Sequence, residues 1–277
     1  MFSIMKNILR ILFQRKNFIF VTFVLPLILV FSFSSLGNNV NSFNIDVKEI
    51  GIENVIETYN DSKPEYNIIS KEDKSLNLLN SLGLVSYIIF VSASMSCGFI
   101  LEDERLGTKD RVLLSKITEL KYYCAQLILY FLLSSVPAIE YFIVCKVLNY
   151  NIGFSNEYIL LLLLLLLVLL SISFALFISS IIKSKMLFSL IMSAFTVPVF
   201  MISGAYWPFE MMNSTLQKIG NALPIRWIYI VIEKLQGGAT LLSVAPLIGS
   251  LVMLIIVFIL LSVFFARNKI VLVNEPK

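Results

Sequence analysis

From Tyr158 to Ile182 no charged residue interrupts the chain, and between Leu160 and Leu170 every residue but Val168 is leucine. An apolar stretch of that length matches the bilayer, whose hydrocarbon core of about 30 Å is crossed by a helix of about 20 residues. Five further segments share its character, which places six spans at Phe18–Leu36, Leu82–Leu101, Tyr122–Leu148, Tyr158–Ile182, Met186–Tyr206 and Ala245–Ala266. The third and fourth are long enough to tilt or to project beyond the lipid. Of the 277 residues 58% are apolar and 14% charged, against about 45–50% and about 25% in soluble domains. That balance excludes a water-soluble fold and excludes disorder. Strands of alternating polarity, the mark of a membrane barrel, do not occur. The fold class is therefore an all-α integral membrane protein with six transmembrane helices.

Lysine and arginine set the orientation, because cytoplasmic connections carry the excess of both. Lys6, Arg10, Arg15 and Lys16 precede the first span, Arg105, Lys109, Arg111, Lys116 and Lys121 separate the second from the third, Lys183 and Lys185 fill the fourth connection, and Arg267, Lys269 and Lys277 follow the sixth. The connection 37–81 carries the carboxylates Asp46, Glu49, Glu53, Glu57, Asp61, Glu65, Glu72 and Asp73 and is expected outside. Both termini are expected in the cytoplasm. The first span is expected to be a retained anchor, since its apolar run exceeds a signal core and no A-x-A site follows. Before it, Phe2, Met5, Leu9, Leu12 and Phe13 share one helical face and Ser3, Lys6, Asn7, Arg10 and Gln14 the other. Residues 1–17 fit an amphipathic helix lying in the headgroup layer, and they fit an ordinary basic flank equally well. The leucine run offers lipid and protein the same surface, and its outer half is expected to face lipid because small residues begin only at Ser171.

The chain has no histidine, which removes the commonest general base and metal ligand. Cys97, Cys124 and Cys145 lack CxxC spacing and lie in or beside apolar runs, so neither a zinc site nor a disulfide framework is expected. No G-x-x-x-x-G-K-[ST] loop is present to cradle a nucleotide phosphate, and no nucleic-acid partner is expected. Glu140 is the one carboxylate well inside an apolar run, with Pro137 a turn earlier able to kink the helix. Lys146 falls on another face and is not its partner. A pathway or gating role and an interfacial role both suit Glu140.

Two connections carry more than topology. Glu102–Lys121 is dense in both signs of charge yet has an apolar side in Val112, Leu113, Leu114 and Ile117. Thr108 suits the cap of a short helix from Lys109, and Thr118 the cap of the third span. The segment reads either as a docking element for a cytoplasmic partner or as a solvated loop. Residues 207–244 contain segments too short and too polar to span, interrupted by Pro208 and Pro224, with Trp207, Trp227 and Tyr229 suited to the headgroup level. Broken helices of a re-entrant type are expected here, since such backbone persists at membrane depth only where protein or water covers it. A plain external loop is the other reading.

Glu104-Arg105-x-Gly107-Thr108-x-x-Arg111-x-x-Leu114 resembles the E-R-x-x-G-T-x-x-R-x-L element of ABC-2 type permeases, and Ser203-Gly204-x-x-Trp207-Pro208 with Leu216 and Leu223-Pro224 resembles their S-G-x-x-x-P…L-P stretch. With the amphipathic start, the order of motifs and six spans, the resemblance covers nearly the whole chain. One departure is Ser115-Lys116, where the family often has proline. The resemblance implies a permease subunit of a bacterial ABC exporter in the cytoplasmic membrane, paired with a second permease, alike or related, and with two copies of a cytoplasmic ATPase that binds ATP and Mg. It implies ATPase docking through Glu104, Arg105, Gly107, Thr108, Arg111 and Leu114. With Glu140 and Pro137, singled out above by their setting in the third span, the pathway or gate candidates are Gly204, Trp207, Pro208 and Pro224 from the second motif; the resemblance implies no catalytic residue on this chain and a hydrophobic or amphipathic substrate such as a drug, antimicrobial peptide or lipid. The alternatives are a secondary carrier or channel, which calls for paired intramembrane charges or repeats, and a membrane enzyme, which would need a convergent Ser/Lys or carboxylate pair. The sequence shows neither feature.

Overall fold

The computed structural model describes residues 20–28, 72–107, 111, 114, 119–147, 157–206 and 209–273. The amphipathic segment 1–17, most of the first expected span, loop residues 37–71, Thr108, Thr118, Trp207 and Pro208 lie outside them. A π-helical turn at Phe20–Val24 leads into a helical stretch through residue 28. The helices that follow are α1 (Glu72–Arg105), α2 (Glu119–Ser134), α3 (Val136–Val147), α4 (Tyr158–Ile181), α5 (Lys185–Ile202), α6 (Ser214–Ala222), α7 (Pro224–Gln236) and α8 (Leu241–Val273). Among the described residues there is no strand. Within the described residues five stretches are long and apolar enough to cross a membrane: Leu82–Arg105, Cys124–Val147, Tyr158–Ile181, Lys185–Ile202 and Leu241–Phe265. The chain is an all-α, multi-pass membrane protein.

Several boundaries differ from those expected. The second span is the inner part of a 34-residue helix, about 51 Å long at 1.5 Å per residue. That helix begins at Glu72, so the end of the expected loop is helical. The third span is two helices that meet at Ser135, two residues before Pro137. Proline has no N–H to donate to Leu133, and its ring crowds that carbonyl; the ladder resumes with Ile139 N–H donating to Ser135. The fifth span ends at Ile202, not Tyr206, because Gly204 turns the chain at φ 86°.

The expectation for the leucine run is overturned. Leu160, Leu163, Leu164, Leu166, Leu167, Val168 and Leu170 are buried, and Leu162 alone in the run is exposed. Helix α4 is the axis of the bundle and packs against α1, α2, α3, α5, α7 and α8. Lipid is as apolar as leucine, so burial here reflects close packing rather than escape from water. Ala93 on α1 and Ala138 on α3 are fully buried, and Phe90 meets Phe174 with ring centroids 5.9 Å apart. The broad apolar surface lies instead on α5 (Met186, Leu187, Leu190, Phe195) and α8 (Met253, Ile256, Leu260, Phe264), which are exposed.

The bundle has two differentiated ends. One gathers Glu102, Asp103 and Lys185. At the other, α1 presses on the turn after α5 so closely that a Cβ at Gly83 would lie 1.9 Å from the Ala205 carbonyl oxygen. A Gly83→Ala variant is therefore expected to lose about 1–3 kcal/mol, as overpacked sites do. Gly249→Ala, whose Cβ would meet nothing within 4 Å, is expected to be neutral or slightly stabilising. Thermal unfolding of the two purified variants in one detergent checks the contrast.

Candidate functional site

At the charged end, α1 finishes in three consecutive carboxylates and an arginine. A helix C-terminus disfavours negative charge, so acids there need partners from elsewhere. Glu102 accepts from Lys185 Nζ at the start of α5 at 2.5 Å, and the same ammonium lies 4.8 Å from the centroid of Phe99. Asp103 Oδ2 accepts from the Tyr122 hydroxyl on α2 at 3.3 Å, and that hydroxyl accepts from Gln126 Nε2 at 2.9 Å. Glu104 is half-buried. The acidic run thus ties α1 to α2 and α5.

The chain then breaks cleanly. Leu106 N–H donates to Glu102 and Gly107 N–H to Glu104, with Gly107 at φ 64°, a left-handed helix end that glycine adopts without a Cβ clash. Arg111 N–H donates to the Gly107 carbonyl at 3.3 Å, starting a new helical turn directly after the break. Arg105, Leu106, Arg111 and Leu114 are all exposed, Leu114 at 84%. Of the expected docking residues, then, Glu104 faces partly inward, Gly107 makes the turn, and Arg105, Arg111 and Leu114 present cations and an apolar side chain to the outside. Thr108 lies outside the described residues. The arrangement can bind an acidic, partly apolar surface.

A polar seam runs inward from Asp103. Ser92, Ser96 and Asp103 share a face of α1 by their spacing, and Tyr122, Gln126, Tyr130 and Ser134 recur every fourth residue on α2, which packs antiparallel to it. Buried serines elsewhere donate to their own helix, as Ser86 does to Leu82 at 2.7 Å and Ser171 to Leu167 at 2.7 Å. The hydroxyls of Ser92, Ser96, Tyr130 and Ser134 are buried with no hydrogen-bond partner in the protein. Unpaired buried hydroxyls are uncommon, and four of them fall on these two helix faces. The sequence reading missed Glu102, Asp103, Tyr122, Gln126 and Lys185. The signal was acid at a helix C-terminus.

At the opposite end, the connection from α5 to α8 is a helical hairpin. After Gly204 comes one 3-10 turn at Phe209–Met211, whose carbonyl at Phe209 accepts from Gln217 Nε2 at 3.2 Å. The Asn213 side chain caps α6 by accepting from Thr215 N–H. Leu223 is extended, and Pro224 opens α7 at a position where no N–H is missed. With 9 and 13 residues neither helix reaches the length a span needs. Ile225, Ile228, Tyr229, Ile232 and Leu235 form the buried face of α7, and Trp227 Nε1 ties the hairpin by donating to the Asn221 carbonyl at 2.8 Å. A Cβ at Gly220 would lie 2.6 Å from both the Ile202 carbonyl oxygen and the Phe209 ring. Burial pushes the Tyr206 phenol up to about 12 and raises that of Tyr229 as well, so both stay neutral.

Arg226 stands on the buried face of α7. Its Nη1 and Nη2 donate to the two carboxylate oxygens of Glu233 at 2.6 and 3.1 Å, and its guanidinium lies 4.0 Å from the Phe209 ring centroid. A Cβ at Gly204 would stand 3.3 Å from Nη1. The structure thus brings Gly204 together with two residues the sequence reading did not select; an arginine on the apolar face of an amphipathic helix was the available sign. Trp207 and Pro208 lie outside the described residues. Pro137 and Glu140 sit apart on α3: Pro137 is buried, and Glu140 Oε2 is buried with no hydrogen-bond partner in the protein. Lys146 lies 5.3 Å from the Tyr158 ring centroid.

Among known proteins, residues 44–264 match the family model described as ABC-2 family transporter protein. No curated protein matches the chain.

The clamp at the charged end generates a charge-swap prediction. Glu102→Lys is expected to lower the unfolding temperature, and adding Lys185→Glu to restore part of the loss. The coupling expected is about 1 kcal/mol, modest because Lys185 is partly exposed. A thermal-unfolding double-mutant cycle in detergent checks it.

Proposed function

Because the chain belongs to the ABC-2 transporter family, we propose that it serves as the membrane-spanning permease of an ATP-driven exporter for a hydrophobic or amphipathic substrate, with ATP and Mg bound by a separate ATPase. The observation that carries this reading is the exposed set Arg105, Leu106, Arg111 and Leu114 at the end of a helix that runs the depth of the bundle. The charged end faces the cytoplasm in this reading. Lys121, Lys183 and Lys185 stand there with the two arginines, as the excess of basic residues in cytoplasmic connections calls for. The first expected span then brings the total to six and leaves both termini cytoplasmic.

Docked ATPase subunits that approach one another on binding ATP move the turn after Gly107. Glu102 and Asp103, two to three residues before Arg105, deliver that displacement to α5 and α2 through Lys185 and Tyr122. Helix α1 carries it across the membrane to Gly83, which rests on the turn at Ala205 that leads into the hairpin. A push on the docking surface therefore reaches the hairpin through one rigid helix. In this account two permeases, alike or related, face each other, and the hairpin with Gly204 and Pro224 borders the exit. The drug, peptide and lipid branches of the family supply the substrate classes.

Charge reversal at the two exposed arginines tests the reading. The Arg105→Glu, Arg111→Glu double variant is expected to fold with unchanged unfolding temperature, because neither side chain is buried. In the complex reconstituted with its ATPase, binding of that subunit is expected to weaken by roughly tenfold or more, the loss of one or two charge-assisted contacts, and substrate-stimulated hydrolysis to disappear. Unchanged binding and stimulation would remove the docking role.

A further inference from the structure

We propose that Arg226 is the binding point for the anionic head of an amphiphilic ligand, and that Glu233 is the counter-ion it holds at rest. The inference rests on the exporter reading and names a substrate class for it.

Among the described residues Arg226 is the one charged residue that is more than nine-tenths buried. Its two η nitrogens are taken by Glu233, while Nε is buried with no acceptor in the protein. A guanidinium presents a planar fork matched to carboxylate and phosphate oxygens, and here one edge of that fork is unfilled. The pair is also asymmetric: the Arg226 side chain is 8% exposed and that of Glu233 40%. Glu233 regains water by a change of rotamer. Arg226 cannot follow, since Phe209 covers it and the Gly204 turn confines Nη1. A buried cation stripped of its partner is costly, so departure of Glu233 leaves a site that demands another anion. Exposed Met211, Leu216 and Ile219 of the same hairpin offer apolar surface for the ligand's chain. Glycine at 204 keeps the approach open, because a side chain there would crowd Nη1 and the Phe209 ring.

The chain's two tryptophans, Trp207 and Trp227, both belong to this connection, so tryptophan emission, excited where tyrosine does not absorb, reports on this connection alone. The full chain in an uncharged maltoside micelle is titrated with dodecyl phosphate and, separately, with dodecyltrimethylammonium. A saturable emission change with the anion only is expected. In Arg226→Gln the half-saturation point is expected to rise by roughly tenfold, the worth of a charge-assisted hydrogen bond, and in Glu233→Gln to fall, because the internal competitor is gone. The swap Arg226→Glu with Glu233→Arg preserves the pair and serves should the single variants fail to fold; it is expected to lose the anion response. Phosphatidylglycerol titrated in place of dodecyl phosphate separates the sources: saturation with both identifies a membrane lipid as a ligand, saturation with the single-chain phosphate alone a free amphiphile. Equal responses to anion and cation, or a swap variant that still saturates with dodecyl phosphate, would overturn the proposal. Neither nucleotide nor ATPase enters the measurement, so a negative result leaves the exporter reading standing, and loss of that reading leaves the binding result intact.

Discussion

Every long helix of the described bundle touches α4, and the rest of the architecture depends on that packing. In lipid no water-driven force gathers apolar helices; shape and close approach hold them together. A leucine-rich rod surrounded by small and aromatic residues supplies both, through pairs such as Phe90–Phe174 and through the contact of Cys97 Sγ with the Ile172 carbonyl. Around that axis α1 extends beyond the hydrocarbon thickness and so links the two ends of the molecule in one rigid element.

Polar chemistry is pressed into three places by the same solvent. Unsatisfied backbone and charge are expensive in hydrocarbon, so most charges collect at the ends, and hydroxyls line the α1–α2 seam. At the charged end the acids satisfy one another's neighbours and leave Arg105 and Arg111 free to face outward. At the other end a single guanidinium is held under an aromatic ring by a carboxylate that remains in reach of water. The first arrangement suits a fixed docking surface, the second an exchangeable contact. One helix, α1, joins the two ends.

Much of this was legible in the sequence, and the parts that were not share a cause. Hydropathy located the five described spans because transfer to lipid is a property of composition. It misread the leucine run, because the same leucines suit lipid and protein equally, and only the helices packed around α4 decide between them. Gly107 and Gly204 were singled out by motif and proved to be turns with positive φ. Glu102 and Lys185 lie 83 residues apart, and no local pattern joins them. Arg226 and Glu233 are two helical turns apart on one face of α7 and were within reach of a helical wheel. The aromatic residues around them drew the reading toward an interfacial belt instead. Glu140, the one carboxylate on α3, stands apart from the residues described at both ends.

The claim on which the account stands is that this chain works only with a nucleotide-hydrolysing partner bound at the Arg105–Leu114 end. The most direct measurement is purification of the tagged chain from its native membrane in mild detergent, with mass spectrometry of what accompanies it and an ATPase assay of the eluate. The account predicts a cytoplasmic protein bearing a phosphate-binding G-x-x-x-x-G-K-[ST] loop, and hydrolysis that vanishes when that protein is stripped away. An active transporter that carries its substrate with no such protein bound would contradict it.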